Sequence, residues 1–172
     1  MRALYRRATG LPDVVRRAEE LRARTMVFDV EPLVAYWYGG QEDLNRGIAM
    51  VLDGLAALSG LEVVCFATNS ARLPSILPCG SGRRVIYLPS AFKPLRTAPY
   101  QGFPRPGMLI GDQIATDGIL ARRLGYAFVL YDASVDGVPL GPRLLGVFGK
   151  LVRPLLFRHA ESIRQRGGEA VR

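Results

Sequence analysis

Thr25-Met26-Val27-Phe28-Asp29-Val30 is a short apolar run with a carboxylate near its end. Such a run, too short for a helix and rich in branched and aromatic residues, is the pattern of a strand covered on both faces. Upstream of it, Leu11, Val14, Val15, Ala18 and Leu21 recur at helical spacing, and Pro12 suits a first helical position. Arg16, Arg17, Arg22 and Arg24 fall largely off that stripe, which predicts a basic amphipathic helix. Downstream, Leu44, Ile48, Val51, Leu52, Leu55 and Leu58 mark a second helix, closed by Gly60. Further strands are predicted over Glu62 to Ala67, Val85 to Leu88, Met108 to Gly111 and Tyr126 to Tyr131. A loop carrying Pro89, Pro94, Pro99, Pro104 and Pro106 precedes the fourth strand, and a helix from Ile114 to Leu124 stops at Gly125. Strand and helix alternate without internal repeats. The expected fold is therefore α/β, three-layered and Rossmann-like, around a central parallel sheet of about five strands.

Length and composition agree with one domain spanning residues 1–172. The chain is 49% hydrophobic and 22% charged, which is a globular composition rather than a disordered one. It has only two cysteines, Cys65 and Cys79, and one histidine, His159, too few for a Cys/His zinc site. Cys65 lies in the apolar run Val63-Val64-Cys65-Phe66 and reads as a small packing residue. Charge-free stretches reach only about ten residues against the roughly twenty that span a bilayer, and no apolar segment follows the basic start as in a secretory signal. A reduced, soluble, cytoplasmic protein is expected. The net charge of +8 is confined to two flanks, +4 over residues 1–24 and +5 over 141–172, while the middle carries −1. Both flanks read as basic amphipathic helices.

In an open parallel sheet, ligands gather at the carboxyl ends of the strands. Asp29, Thr68, Asn69, Lys93 and Asp112 all sit at or just after such an end. Each has an ordinary structural reading: Asp112 and Ser70 as helix caps, Asp29 as a turn residue. Their convergence in one order points instead to a site. Lys93 is one of only two lysines, with Lys150, against 21 arginines. A lysine kept in such a chain fits a place that needs a compact point charge.

Phe28-Asp29-Val30-Glu31, Thr68-Asn69, Lys93-Pro94 and Gly111-Asp112-Gln113-Ile114-Ala115-Thr116-Asp117 together resemble the four motifs of the haloacid dehalogenase superfamily. The likeness runs from about Leu11 through Tyr131. It is greatest to the small cap-less YqeG-type branch, related to phosphatidylglycerophosphate phosphatases, which carries no large cap domain. The resemblance implies a Mg²⁺-dependent phosphomonoester phosphatase. In it Asp29 would attack phosphorus and form an aspartyl phosphate. Asp29 and Asp112, with the backbone carbonyl of Glu31, would hold Mg²⁺, and Asp117 would orient the metal's surroundings. Lys93 would offset charge, and Thr68 and Asn69 would donate to phosphoryl oxygens. The sequence departs from the pattern at Glu31, where the family has a second aspartate as acid and base, and at Pro32 and Leu33, where it has a small polar residue and threonine.

Two other readings stand beside this one. The first is a catalytically impaired scaffold that binds metal or phosphate and uses its basic flanks on a protein partner or an anionic membrane. The second, nucleic-acid binding, rests on charge alone; no recognised RNA- or DNA-reading motif is present. Gly80-Ser81-Gly82 lacks the third glycine of a dinucleotide loop. The C-terminal flank sets Leu144, Leu145, Val147, Phe148, Leu151, Val152, Leu155, Leu156 and Phe157 beside Lys150, Arg153 and Arg158, interrupted by Pro154. This stripe suits either packing on the sheet or a membrane surface, and with the resemblance it extends the expected substrate to a phosphorylated lipid head group.

Overall fold

Every residue of Thr25–Asp29, Val63–Ala67 and Gly107–Gly111 is buried, so these strands must be covered on both sides. A computed structural model shows how; it describes residues 3–77 and 82–132, together with 149, 151, 153, 154 and 156–158. The strands are β1 (Ala3–Ala8), β2 (Thr25–Asp29), β3 (Val63–Ala67), β4 (Arg84–Leu88), β5 (Gly107–Gly111), β6 (Ala127–Tyr131) and the two-residue β7 (Phe157–Arg158). They form one sheet in the order β4-β3-β2-β5-β6-β1-β7, and every pairing is parallel. Three helices are bounded among the described residues, α1 (Leu11–Leu21), α2 (Gln41–Gly54) and α3 (Ile119–Leu124).

Alternate strand residues point to opposite faces, and the two cores follow that period. On one face Met26, Phe28, Val64, Phe66, Met108 and Ile110 pack with Val14 and Ala18 of α1 and Leu44, Ile48 and Val51 of α2. On the other, Val27, Cys65, Leu109 and Phe128 pack with Leu120, Ala121 and Leu124 of the α3 region. Removing such a side chain from water is worth about 1.5–3 kcal/mol, so the two faces together dominate the folding energy. The result is the three-layer, Rossmann-like parallel α/β architecture expected. Among the described residues, no helix is long and apolar enough to cross a membrane.

Three expectations are corrected. Among the described residues the sheet has six strands and the short seventh, not about five. The first flank is helical only from Leu11; Ala3–Ala8 is strand β1, seated between β6 and β7. Tyr5 explains its place, since its ring lies against Phe128 and Phe157, with centroids 6.0 and 5.5 Å away. Among the described residues β7 pairs only with Ala3 and Leu4, so the arginine half of β1 is paired on its β6 side alone, where Arg6 and Arg7 are tolerated. The helix expected from Ile114 opens instead as a π-helical turn, Ile114–Gly118, before becoming α3. Most of the C-terminal flank, with Cys79, Gly80-Ser81, Lys150 and His159, lies outside the described residues.

Candidate active site

Asp29 ends β2, Thr68 follows β3, and Asp112 follows β5, so three neighbouring strands deliver three polar side chains to one edge. The turn after β4 adds Lys93. That turn is pinned to its neighbour by Ser90 N–H donating to Ser70 O at 2.8 Å and Ala91 N–H donating to Thr68 O at 2.8 Å. Ser90 and Phe92 take positive φ, 45° and 51°, a costly conformation for non-glycine residues and one common in functional loops. Asn69 then clamps the Lys93 backbone from both sides: its Nδ2 donates to Lys93 O at 3.1 Å, and Lys93 N–H donates to its Oδ1 at 2.7 Å.

So held, Lys93 reaches inward. Its Nζ lies 2.7 Å from Asp29 Oδ1 and 2.8 Å from Asp117 Oδ1, with 3% of the side chain exposed. Asp117 enters through the π-helical turn, where Thr116 Oγ1 donates to its Oδ2 at 3.3 Å. Gly111 makes the approach feasible, since a Cβ there would stand 2.5 Å from Asp117 Cγ. Asp29, Asp112 and Asp117 each offer a carboxylate oxygen within 4.8 Å of the others.

Three carboxylates around one ammonium carry two net negative charges when all are ionised. Burial resists that, and the protonation equilibria respond. Burial first, then the Asp117 charge, pushes Asp112 up to about 7. Asp29 is raised well above the ordinary carboxylate range by burial and by Asp117, against the pull of Lys93. Burial alone would lower Lys93, but Asp117 and Asp29 outweigh it and hold the ammonium charged. The side chains present fit a divalent cation. Asp112 Oδ1 is buried without a hydrogen-bond partner among the described residues, the donors are all hard oxygens, and a 2+ ion would balance the charge.

Glu31 stands apart from this cluster. Its Oε2 accepts from Thr68 Oγ1 at 2.6 Å, and Ser70 Oγ lies 3.5 Å from its Oε1. Arg72 pairs with the same Oε1 at 3.4 Å and also donates to the carbonyls of Tyr36, Gly39 and Gly40. The structure thus brings Asp29, Lys93, Asp112 and Asp117 together. It sets Glu31 and Thr68 beside them as a hydrogen-bonded pair, and it uses the Asn69 amide on the Lys93 backbone, not as a free donor facing a ligand. The side chain of Glu31 does not join the metal-type cluster. Arg72 was missed from sequence; as one arginine among 21 it has no local signal. No family model, curated protein or solved structure matches the chain.

Proposed function

We propose that this protein is a Mg²⁺-dependent phosphomonoester phosphatase working through an aspartyl phosphate, in keeping with its resemblance to the haloacid dehalogenase superfamily. One observation carries the reading. A buried lysine bridges two carboxylates at 2.7 and 2.8 Å beside a third whose buried oxygen has no hydrogen-bond partner among the described residues. A structural ion pair needs no third acid; a site for a divalent cation and a phosphate does.

The residues then divide the work. Asp29 attacks phosphorus through a carboxylate oxygen, the P–O ester bond breaks, and the departing oxygen takes a proton from Glu31. Water next attacks the phosphorus of the aspartyl phosphate and gives a proton to Glu31, which frees inorganic phosphate and restores Asp29. Lys93 offsets the repulsion between an anionic nucleophile and an anionic phosphate. Asp29, Asp112 and Asp117 would hold the cation, whose chemistry is to withdraw charge from the phosphoryl oxygens. Thr68 would have to turn its hydroxyl from Glu31 to meet a phosphoryl oxygen.

The test is hydrolysis of a generic aryl phosphate with Mg²⁺, for wild type and Asp29→Asn. The expected result is turnover that chelation abolishes and that Asp29→Asn lacks while still folded. Equal turnover by both proteins would place the activity elsewhere. The scaffold reading has its own support in the commitment of Glu31 to Thr68 and Arg72. It gains if Mg²⁺ binds but neither wild type nor Glu31→Asp hydrolyses any phosphoester.

A further inference from the structure

Eight large apolar side chains stand exposed among the described residues, and six of them crowd one edge of the sheet. Tyr36 and Tyr38 follow β2, Leu73 and Ile76 follow β3, and Phe92 and Leu95 follow β4, each between 59% and 82% exposed. These are the carboxyl-end turns that carry Glu31, Thr68 and Lys93, so the apolar residues share the edge of the sheet that bears the candidate site. The turns are stitched into one arc. Arg72 donates to the carbonyls of Tyr36, Gly39 and Gly40, Gln41 Nε2 donates to Leu73 O at 3.2 Å, and Ser90 N–H donates to Ser70 O. Exposed apolar surface gathered in one place marks a contact with a partner, a membrane or a ligand.

The charge around the arc is one-sided. The segments that form the arc, Pro32 to Gly40, Thr68 to Leu77 and Pro89 to Thr97, hold three cations, Arg72, Lys93 and Arg96, and no carboxylate. Glu31 is buried, Arg96 is exposed beside Leu95, and the nearest exposed acids, Glu42 and Asp43, belong to the first turn of α2. The six side chains are borne as single prongs on turns containing Gly39-Gly40, Pro74-Ser75 and Pro94, not as a flat face. Prongs flanked by the exposed Arg96 and by Arg123, which donates to the carbonyls of Pro94 and Leu95, suit a fluid anionic surface, where head groups part around each side chain. A rigid protein partner would need a matching socket for each. The tyrosines add rings with a polar end, which settle at the head-group level.

We infer that this rim docks the mouth of the site onto an anionic lipid bilayer, with Tyr36, Tyr38, Leu73, Ile76, Phe92 and Leu95 entering the head-group region. The inference goes beyond the phosphatase reading, because docking is measured without turnover. The chain supplies its own probe: Trp37, its single tryptophan, lies partly buried between the two exposed tyrosines.

The experiment is sedimentation of the full chain with vesicles of equal parts phosphatidylserine and phosphatidylcholine, against phosphatidylcholine alone, with Trp37 emission followed in vesicles carrying brominated acyl chains. The wild type should bind the anionic vesicles selectively, and brominated chains should quench Trp37. Tyr38→Ser, Ile76→Ser and Leu95→Ser combined should weaken binding by about tenfold or more and remove the quenching, since each loses buried apolar area. Met50→Ser, at an exposed residue on α2 outside the rim, should bind as wild type. If the triple variant fails to fold, Tyr38→Ser alone, at the most exposed of the six, should still weaken binding by roughly threefold. Absence of vesicle binding, binding without quenching of Trp37, or binding unchanged by the rim variants would overturn the inference. So would a rim-dependent dimer in solution that competes with vesicles.

Discussion

Glu31 decides whether the site turns over, and its surroundings give the two acids at this position different fates. As glutamate it reaches Thr68 at 2.6 Å and Arg72 at 3.4 Å, away from the three aspartates. Removing its proton-transfer capacity with Glu31→Gln should lower turnover by roughly 10²–10⁴-fold. Mg²⁺ affinity should be unchanged, since the carboxylate is outside the metal-type cluster. Glu31→Asp retracts the carboxylate by a methylene and releases the Thr68 hydroxyl, so turnover should hold or rise. Calorimetric Mg²⁺ titration and aryl phosphate kinetics on the pair check both halves; a Gln variant as active as wild type would remove Glu31 from the chemistry. Much of this scale was legible in the sequence. Lys93 stood out because the chain so favours arginine, and the acids stood out because they end apolar runs. Arg72 was not legible, because its partners lie 32 to 41 residues away and meet it only through the fold.

At the scale of elements, β2, β3 and β5 could be read because a strand covered on both faces admits almost nothing but apolar residues, and β4 and β6 because short apolar runs lie between turn residues. Strand β1 could not. Its Arg6 and Arg7 look like part of a solvated flank until the fold pairs them with Val129 and Leu130 of β6. The π-helical turn was equally invisible, for its cause is a tertiary contact: Asp117 must fold back against the end of β5, and Lys93 holds it there. Gly111→Ala tests that coupling. Its Cβ would stand 2.5 Å from both Asp117 Cγ and Oδ2, so the turn must shift. Overpacking of this kind costs about 1–3 kcal/mol. The variant should therefore melt at a lower temperature and bind Mg²⁺ at least tenfold more weakly, a loss that a displaced Asp117 explains. Unaltered Mg²⁺ affinity in a folded Gly111→Ala protein would show that Asp117 contributes nothing to the cation site.

For the whole molecule, the buried charge cluster ties stability to pH and to metal in a stated direction. Asp112 titrates near 3.8 in the unfolded chain and near 7 in the folded one, and Asp29 is raised as well. A carboxyl whose pKa is raised by folding holds its proton more tightly in the native state. Its contribution is complete below about pH 4 and is lost as pH rises through 7, with about 4 kcal/mol as the upper bound for Asp112 alone. Lys93 does not oppose this trend, because a raised lysine pKa acts only at alkaline pH. Asp13 and Glu20, whose pKa values are lowered, act only in acid, where their contribution fades as they protonate. The metal-free protein should thus melt at progressively lower temperature from pH 5 to 7.5. Excess Mg²⁺ should remove the decline, because the cation stabilises the ionised triad and displaces protons, and the gain from Mg²⁺ should grow with pH. Asp112→Asn should flatten the metal-free profile over the same window and blunt the response to Mg²⁺. Thermal melts across that range, with chelator and with Mg²⁺, read the effect directly. A profile that rises toward neutrality, or one indifferent to Mg²⁺ at pH 7.5, would mean that the three aspartates and Lys93 form a closed ion network and not a cation site.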